Sequence, residues 1–478
     1  MRLASVVLVP LLLLSCKLDV FDELEASAPI VSLAPPGDYP RGTLGRVMDA
    51  YVGENAFGEP IARVVAAGGP GTPLVVFDVW EHDRLGELHA LDTRCNDPGA
   101  PDSCEAGIGG DVVGLASWMG MKDCLLTSAV PLPGGVPSTG EGTVRVVCER
   151  SPTSIARMAV PAVQLGRSLA ALPEGHPAGV ALIGAPGADG GRGTLYRLED
   201  GGLEPVPLPM PTDLTLAADA SLGDALATMG VGTSVTGLDE PVLVAVGATG
   251  MRRVFVFEVG SAGGALESRT VGCIDEVQPR RPADEAGGGL TVGDIGQGPT
   301  VFVGLSDDLS GEPLAGSVRA VRVADLVATP GCVDPSSTDD ASFETIDCAG
   351  VPDLECKAFG RGVAVGDVNG DGFGDLVVGA PLSLSPNEAT GAVVVFPGSA
   401  TGLGSGRAIV PTSVGDGARF GQRVTMARTA LGTAQERAEP VVAAPAETRL
   451  YILFCTGLDG DRADALGDLG DRCLPQQP

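Results

Sequence analysis

Short apolar runs, rich in β-branched residues and bounded by glycine, set the pattern of this chain. The clearest are Val75-Val76-Phe77, Val144-Arg145-Val146-Val147, Thr194-Leu195-Tyr196, Val254-Phe255-Val256-Phe257, Val318-Arg319-Ala320-Val321, Val393-Val394-Val395-Phe396 and Leu450-Tyr451-Ile452-Leu453. Each has the length and make-up of a strand. Their starts lie 50 to 75 residues apart, so they mark seven recurring units. A second apolar run precedes them in several units, as in Ala181-Leu182-Ile183-Gly184-Ala185-Pro186 and Val441-Val442-Ala443-Ala444-Pro445. Units open on pairs such as Leu165-Gly166, Leu222-Gly223 and Phe420-Gly421. Helical periodicity is scarce. The Ala-rich segment Asp213 to Met229 fits one helix, and fits a loop equally.

A unit of this size holds about four strands of five or six residues. Alone it cannot bury both faces of its sheet. Radial stacking around an axis buries them and leaves only short edges. The expected fold is all-β: a seven-bladed β-propeller over 43–455. Its blades fall near 43–81, 106–149, 162–199, 220–259, 285–322, 356–398 and 417–455, each apolar run closing its unit. Glycine, 70 of 478 residues, suits close approach between blades.

One stretch, residues 359–381, carries candidate chemistry. It contains Asp367-x-Asn369-x-Asp371-Gly372-x-x-Asp375. Oxygen ligands at positions 1, 3, 5 and 9, with Gly at 6 for the turn, suit a hard cation. Val363-Ala364-Val365 and Leu376-Val377-Val378 flank the loop as strands, and position 12 is Val378, not Glu. The loop is therefore expected inside a β-hairpin. Phe359-Gly360 before it and Gly379-Ala380-Pro381 after it make the stretch resemble the FG-GAP repeat of integrin α-subunit propellers. That resemblance implies a seven-bladed ring, and the loop itself is expected to hold one structural Ca²⁺ through Asp367, Asn369, Asp371, the Phe373 carbonyl and Asp375. The fifth unit keeps Asp294 but lacks the other acids. A single intact loop departs from integrins, where several blades carry one.

The N-terminus bears on the compartment. Arg2 precedes an apolar run, Val6 to Leu14, too short to span a bilayer and fitting a signal peptide over 1–15. Leu13-Leu14-Ser15-Cys16 resembles a bacterial lipobox, which implies cleavage before Cys16 and its lipidation. Residues 16–42 then form a lipidated tether, although the part near Ala28 to Leu33 could instead add a strand to the last blade. Of 11 Cys, ten remain after lipidation. Export permits disulfides. Local pairing gives Cys95–Cys104, Cys124–Cys148, Cys348–Cys356 and Cys455–Cys473, with Cys273–Cys332 across a longer loop. A zinc site competes, but no CxxC spacing exists and His numbers three.

Charge is strongly acidic, 31 basic against 61 acidic residues for a net of −30. That disfavours nucleic acid. Residues 456–478, with Asp459, Asp461, Asp464, Asp468 and Asp471, read as an acidic tail.

No catalytic constellation emerges. His82 and His89 fit an inter-strand loop, His176 a turn, and the Gly187–Gly193 stretch a blade turn rather than a phosphate loop, since a strand follows it. The chain is expected to be non-catalytic: a calcium-stabilised, lipid-anchored propeller of the cell envelope, at a bacterial outer membrane or cell surface. Its expected role is a binding or adhesion scaffold for a protein or surface glycan. An envelope-assembly scaffold facing the periplasm is the alternative, and a hydrolase-associated propeller a third reading.

Overall fold

The computed structural model describes residues 30–453, with interruptions in connecting segments, the longest at 80–87, 91–107, 130–140, 149–154, 278–288, 307–315, 335–342, 385–389 and 430–436. Seven sheets stand in a ring, each one a blade. Blades one to six occupy 47–90, 108–163, 169–206, 222–274, 290–346 and 362–409. Blade seven is composite. Val424–Thr429, Arg437–Ala444 and Arg449–Leu453 supply three strands, and Ile30–Leu33 supplies the outer one. Ile30 pairs antiparallel with Leu453, and Leu33 with Leu450. The segment read as either tether or closing strand is thus a strand from Ile30 onward.

The apolar runs that mark the units are the third strand of four, not the last. Ile155–Val163, Gly202–Val206, Ala265–Ile274, Phe343–Ile346 and Arg407–Ile409 lie beyond them as outer strands. An outer strand faces solvent along one edge and tolerates polar residues, as the exposed Glu204 shows, so it lacks the apolar signature of the third. A second correction concerns Asp213 to Met229. Leu222–Gly230 is the innermost strand of blade four, not a helix. Seven inner strands crowd one axis, where small side chains such as Ala225 and Ala227 fit, and that demand produces the Ala-rich pattern.

The hydrophobic core is divided among the blade interfaces. Seven clusters of buried side chains each draw on two neighbouring blades. Phe359 meets Phe396 edge-on at 6.1 Å, and Phe420 meets Tyr451 at 5.6 Å. Burying such an aromatic side chain contributes roughly 2–3 kcal/mol. The glycine after each opening residue serves a different need. Gly166, Gly223, Gly360 and Gly421 all have φ between +79° and +93°, a region that costs other residues a steric clash. The backbone of three of them then lies against a glycine of the preceding blade, Gly223 on Gly184, Gly360 on Gly304 and Gly421 on Gly379, whereas Gly166 meets Ser128.

The smallest apolar cluster among the described residues lies between blades one and two. There a polar network adds to it. Arg63, 1% exposed, donates through Nε to Asp78 at 2.8 Å, pairs with Asp123 of blade two and donates to the Glu54 carbonyl at 2.7 Å. Lys122 of blade two reaches Glu54 at 2.6 Å.

Between blades four and five the chain makes a detour. After the third strand of blade five, Ser317–Arg322, it passes through the helix Val323–Ala328 and returns to blade four. Cys332–Val333 adds a fifth, parallel strand there, and Cys332 is disulfide-bonded to Cys273 opposite it. Cys124–Cys148 within blade two and Cys348–Cys356 ahead of blade six are also bonded. Cys95, Cys104, Cys455 and Cys473 lie outside the described residues, as do Cys16, the signal segment and the acidic tail. Among the described residues no helix is long and apolar enough to cross a membrane.

Candidate functional site

The acidic loop joins the first two strands of blade six, Gly362–Gly366 and Asp375–Ala380. The hairpin expected around it is therefore present. Gly370 and Gly372 take positive φ, +70° and +88°, which folds the loop back on itself. Asp367 accepts N–H groups of Asp371 (3.0 Å) and Gly372 (2.8 Å) on its two oxygens. Asn369 Oδ1 also accepts the Asp371 N–H, and Asp371 Oδ1 accepts that of Phe373. Asn369 Nδ2 donates to Asp371 Oδ2 at 3.0 Å.

Asp375 is placed differently. It is wholly buried and accepts three backbone N–H groups, from Val368, Asn369 and Gly398, at 2.8–3.2 Å. Burial pushes its carboxyl up to about 7, against the pull of those N–H groups; the charge of Asp371 adds to the rise. Two acids of the loop thus repel each other, which a cation would relieve. The donors available from Asp367, Asn369, Asp371, the Phe373 carbonyl and Asp375 are all oxygen, as calcium requires. By donor chemistry the residues fit that ion. In this conformation, however, the carboxylates are turned onto main-chain N–H groups. No three His, Cys, Asp or Glu side chains among the described residues converge as a metal cluster.

The loop also ties three blades together. Gly374 N–H donates to the Asp294 carbonyl of blade five at 3.1 Å, and Ala438 N–H of blade seven donates to the Asp367 carbonyl at 2.9 Å. In the matching turn of blade five, Asp294 Oδ1 accepts the N–H groups of Gly296 and Gly298. One carboxylate closes that turn unaided. His176 lies in a turn where Nε2 contacts the Glu240 carbonyl at 2.8 Å, and burial lowers its pKa. His89 falls in the outer strand Leu88–Ala90, not in a loop; His82 is outside the described residues.

A second feature was not anticipated. A cavity of about 350 Å³ lies on the axis, lined by the innermost strands of all seven blades. Asp49, Asp111, Arg361 and Arg423 are its charged residues. Asp49 Oδ2 accepts the Gly114 N–H at 2.9 Å, and Asp111 Oδ2 the Leu169 N–H at 2.8 Å, so each carboxylate bridges to the next blade. Burial raises Asp49 to about 6 and Asp111 to about 7, opposed in part by Arg423. The signal in the sequence was a charge inside the first strand of a unit, visible as Met48-Asp49-Ala50 and Asp111-Val112-Val113.

Comparison with known proteins bears on the loop and on the ring. The FG-GAP repeat family model matches residues 359–396. No curated protein sequence matches. Among solved structures, the chain is similar to one from a study of two prolyl endopeptidases, at 13% identity and TM-score 0.36, covering 90% of this chain and 49% of that one. An ancestral GH74 enzyme gives 11% identity and TM-score 0.46, over 90% and 52%. The N-terminal domain of Nup159 gives 8% and 0.39, over 89% and 95%. The chain spans about half the length of the first two.

Proposed function

We propose that this FG-GAP β-propeller is a calcium-stabilised, lipid-anchored, non-catalytic scaffold of the cell envelope that binds a protein or glycan partner. The observation that carries the reading is the acidic loop of blade six, hydrogen-bonded to blades five and seven at once. Calcium held by Asp367, Asn369, Asp371, the Phe373 carbonyl and Asp375 would neutralise the loop and lock three blades into one rigid surface. Rigid elements hold binding groups in place better than loose ones. Leu13-Leu14-Ser15-Cys16 supports the anchor. Residues 17–29 then connect Cys16 to the closing strand at Ile30, a reach of at most about 50 Å.

Fractionation tests the reading. The full-length protein should stay with membranes through a high-salt wash and leave with detergent, whereas Cys16→Ala should be soluble. Protease added to intact cells then separates a surface scaffold, which is digested, from a periplasm-facing one, which is protected. A Cys16→Ala protein that still fractionates with washed membranes overturns the lipid anchor.

A further inference from the structure

The axial cavity is polarised. Its charged residues come from four successive blades: Arg361 from six, Arg423 from seven, Asp49 from one and Asp111 from two. Around the ring this reads as two basic side chains followed by two acidic ones. Blades three, four and five face them with Ala170, Ala227, Leu290 and Thr291. One side of the cavity is therefore bipolar, and the other, where Thr228 also contributes, carries no charged side chain.

Asp111 and Arg361 are more than nine-tenths buried. Arg423 and Asp111 stand at 4.0 Å, a long separation for an ion pair. Each carboxylate gives one oxygen, Oδ2, to a backbone N–H of the next blade. The volume, about 350 Å³, lies at the lower end of the range of small-molecule sites, roughly 300–1,000 Å³. The Arg423 guanidinium beside Asp111 disfavours a bare metal cation there.

We propose that this cavity is a binding site for a small zwitterion, a free α-amino acid with an apolar side chain. Its carboxylate lies on Arg361 and Arg423, its ammonium on Asp49 and Asp111, and its side chain against the wall from blades three to five. Forked guanidinium donors suit a carboxylate, and charge-assisted hydrogen bonds supply the orientation. The site is on the axis and is independent of the blade-six loop and of any anchor, so it stands or falls apart from the scaffold reading.

Isothermal titration of the purified full chain with L-leucine at about pH 8, above the range in which Asp49 and Asp111 lose their protons, is the test, beside N-acetyl-L-leucine, which lacks the ammonium, and L-leucinamide, which lacks the carboxylate. L-leucine should bind with Kd of about 1 mM or tighter, as the best contacts of nine heavy atoms allow, and both blocked forms about tenfold more weakly or worse. Asp49→Asn, which keeps an acceptor for Gly114, should lower affinity for L-leucine by about tenfold. If that variant does not fold, the comparison of the three ligands on the wild type decides. Absence of L-leucine binding at 10-fold above about 1 mM, or equal binding of the three ligands, overturns the proposal.

Discussion

The carbonyl oxygen of Gly421 in blade seven occupies the space that a Cβ on Gly379 of blade six would need. The obstacle is backbone, and the same relationship joins Gly184 to Gly223 and Gly304 to Gly360. The repeated glycines are therefore the surfaces on which neighbouring blades meet, as much as they are turn formers.

Gly379→Ala should destabilise the protein by about 3 kcal/mol, since overpacking against an immobile neighbour forces the blades apart. Gly232→Ala is the control, because nothing lies within 4 Å of its added Cβ; it should change stability by no more than about 0.5 kcal/mol. Denaturant unfolding of both compares them. Equal midpoints would show that the blades slide apart at little cost.

Much of this ring was legible because of where its signals sit. Third strands are buried on both faces, so Val393 to Phe396 or Val254 to Phe257 read as continuous apolar runs. Outer strands such as Gly202–Val206 face water and hide in the polar background. Ala225 and Ala227 were legible only as a vague helical pattern, because the reason for small residues there is the ring's geometry. The acidic loop was readable from spacing alone. The axial charges were not: Asp49, Asp111, Arg361 and Arg423 are far apart in sequence and share a cavity only once the ring closes.

Calcium should raise the melting temperature of the full chain. At 100 times Kd the gain is about 2.7 kcal/mol by mass action. Asp371→Ala should lose most of that increment while remaining folded without calcium, since relieving its repulsion with Asp375 offsets part of the loss. Melting curves with and without millimolar calcium measure this. An equal calcium shift in both proteins would place the ion elsewhere.

Arg63→Met should cost about 3–5 kcal/mol, because it leaves the buried carboxylate of Asp78 without its cation. Adding Asp78→Leu should recover a large part of that loss. Urea titration of the single and double variants gives the comparison. A single variant within 1 kcal/mol of wild type, on the order of a surface pair, would mean the network carries little.

Stability should fall as pH rises through the range where Asp111 loses its proton. Its carboxyl is raised to about 7 in the fold from an ordinary 3.8, chiefly by burial, with Asp49 adding to the rise and Arg423 opposing it. The folded state therefore holds this proton more tightly than the unfolded chain. The stabilising contribution is complete below about pH 4 and is lost by about pH 7. Asp49, raised to about 6, acts with the same sign. Asp111→Asn should flatten the decline between pH 4 and 8 by about 4 kcal/mol. Parallel profiles for variant and wild type would show that Asp111 is charged throughout.

The strand Ile30–Leu33 gives the ring a mechanical character. It is bonded through its backbone to blade seven, and the chain runs on from it into blade one. Tension arriving from the N-terminal side is thus shared at once between hydrogen bonds to one blade and the covalent chain of the other. The load enters at the seam, where the circle is held by four residue pairs rather than by continuous polypeptide. Pulled from its N-terminal side, such a ring should open first at its clasp, before the blades from two to six lose their shape.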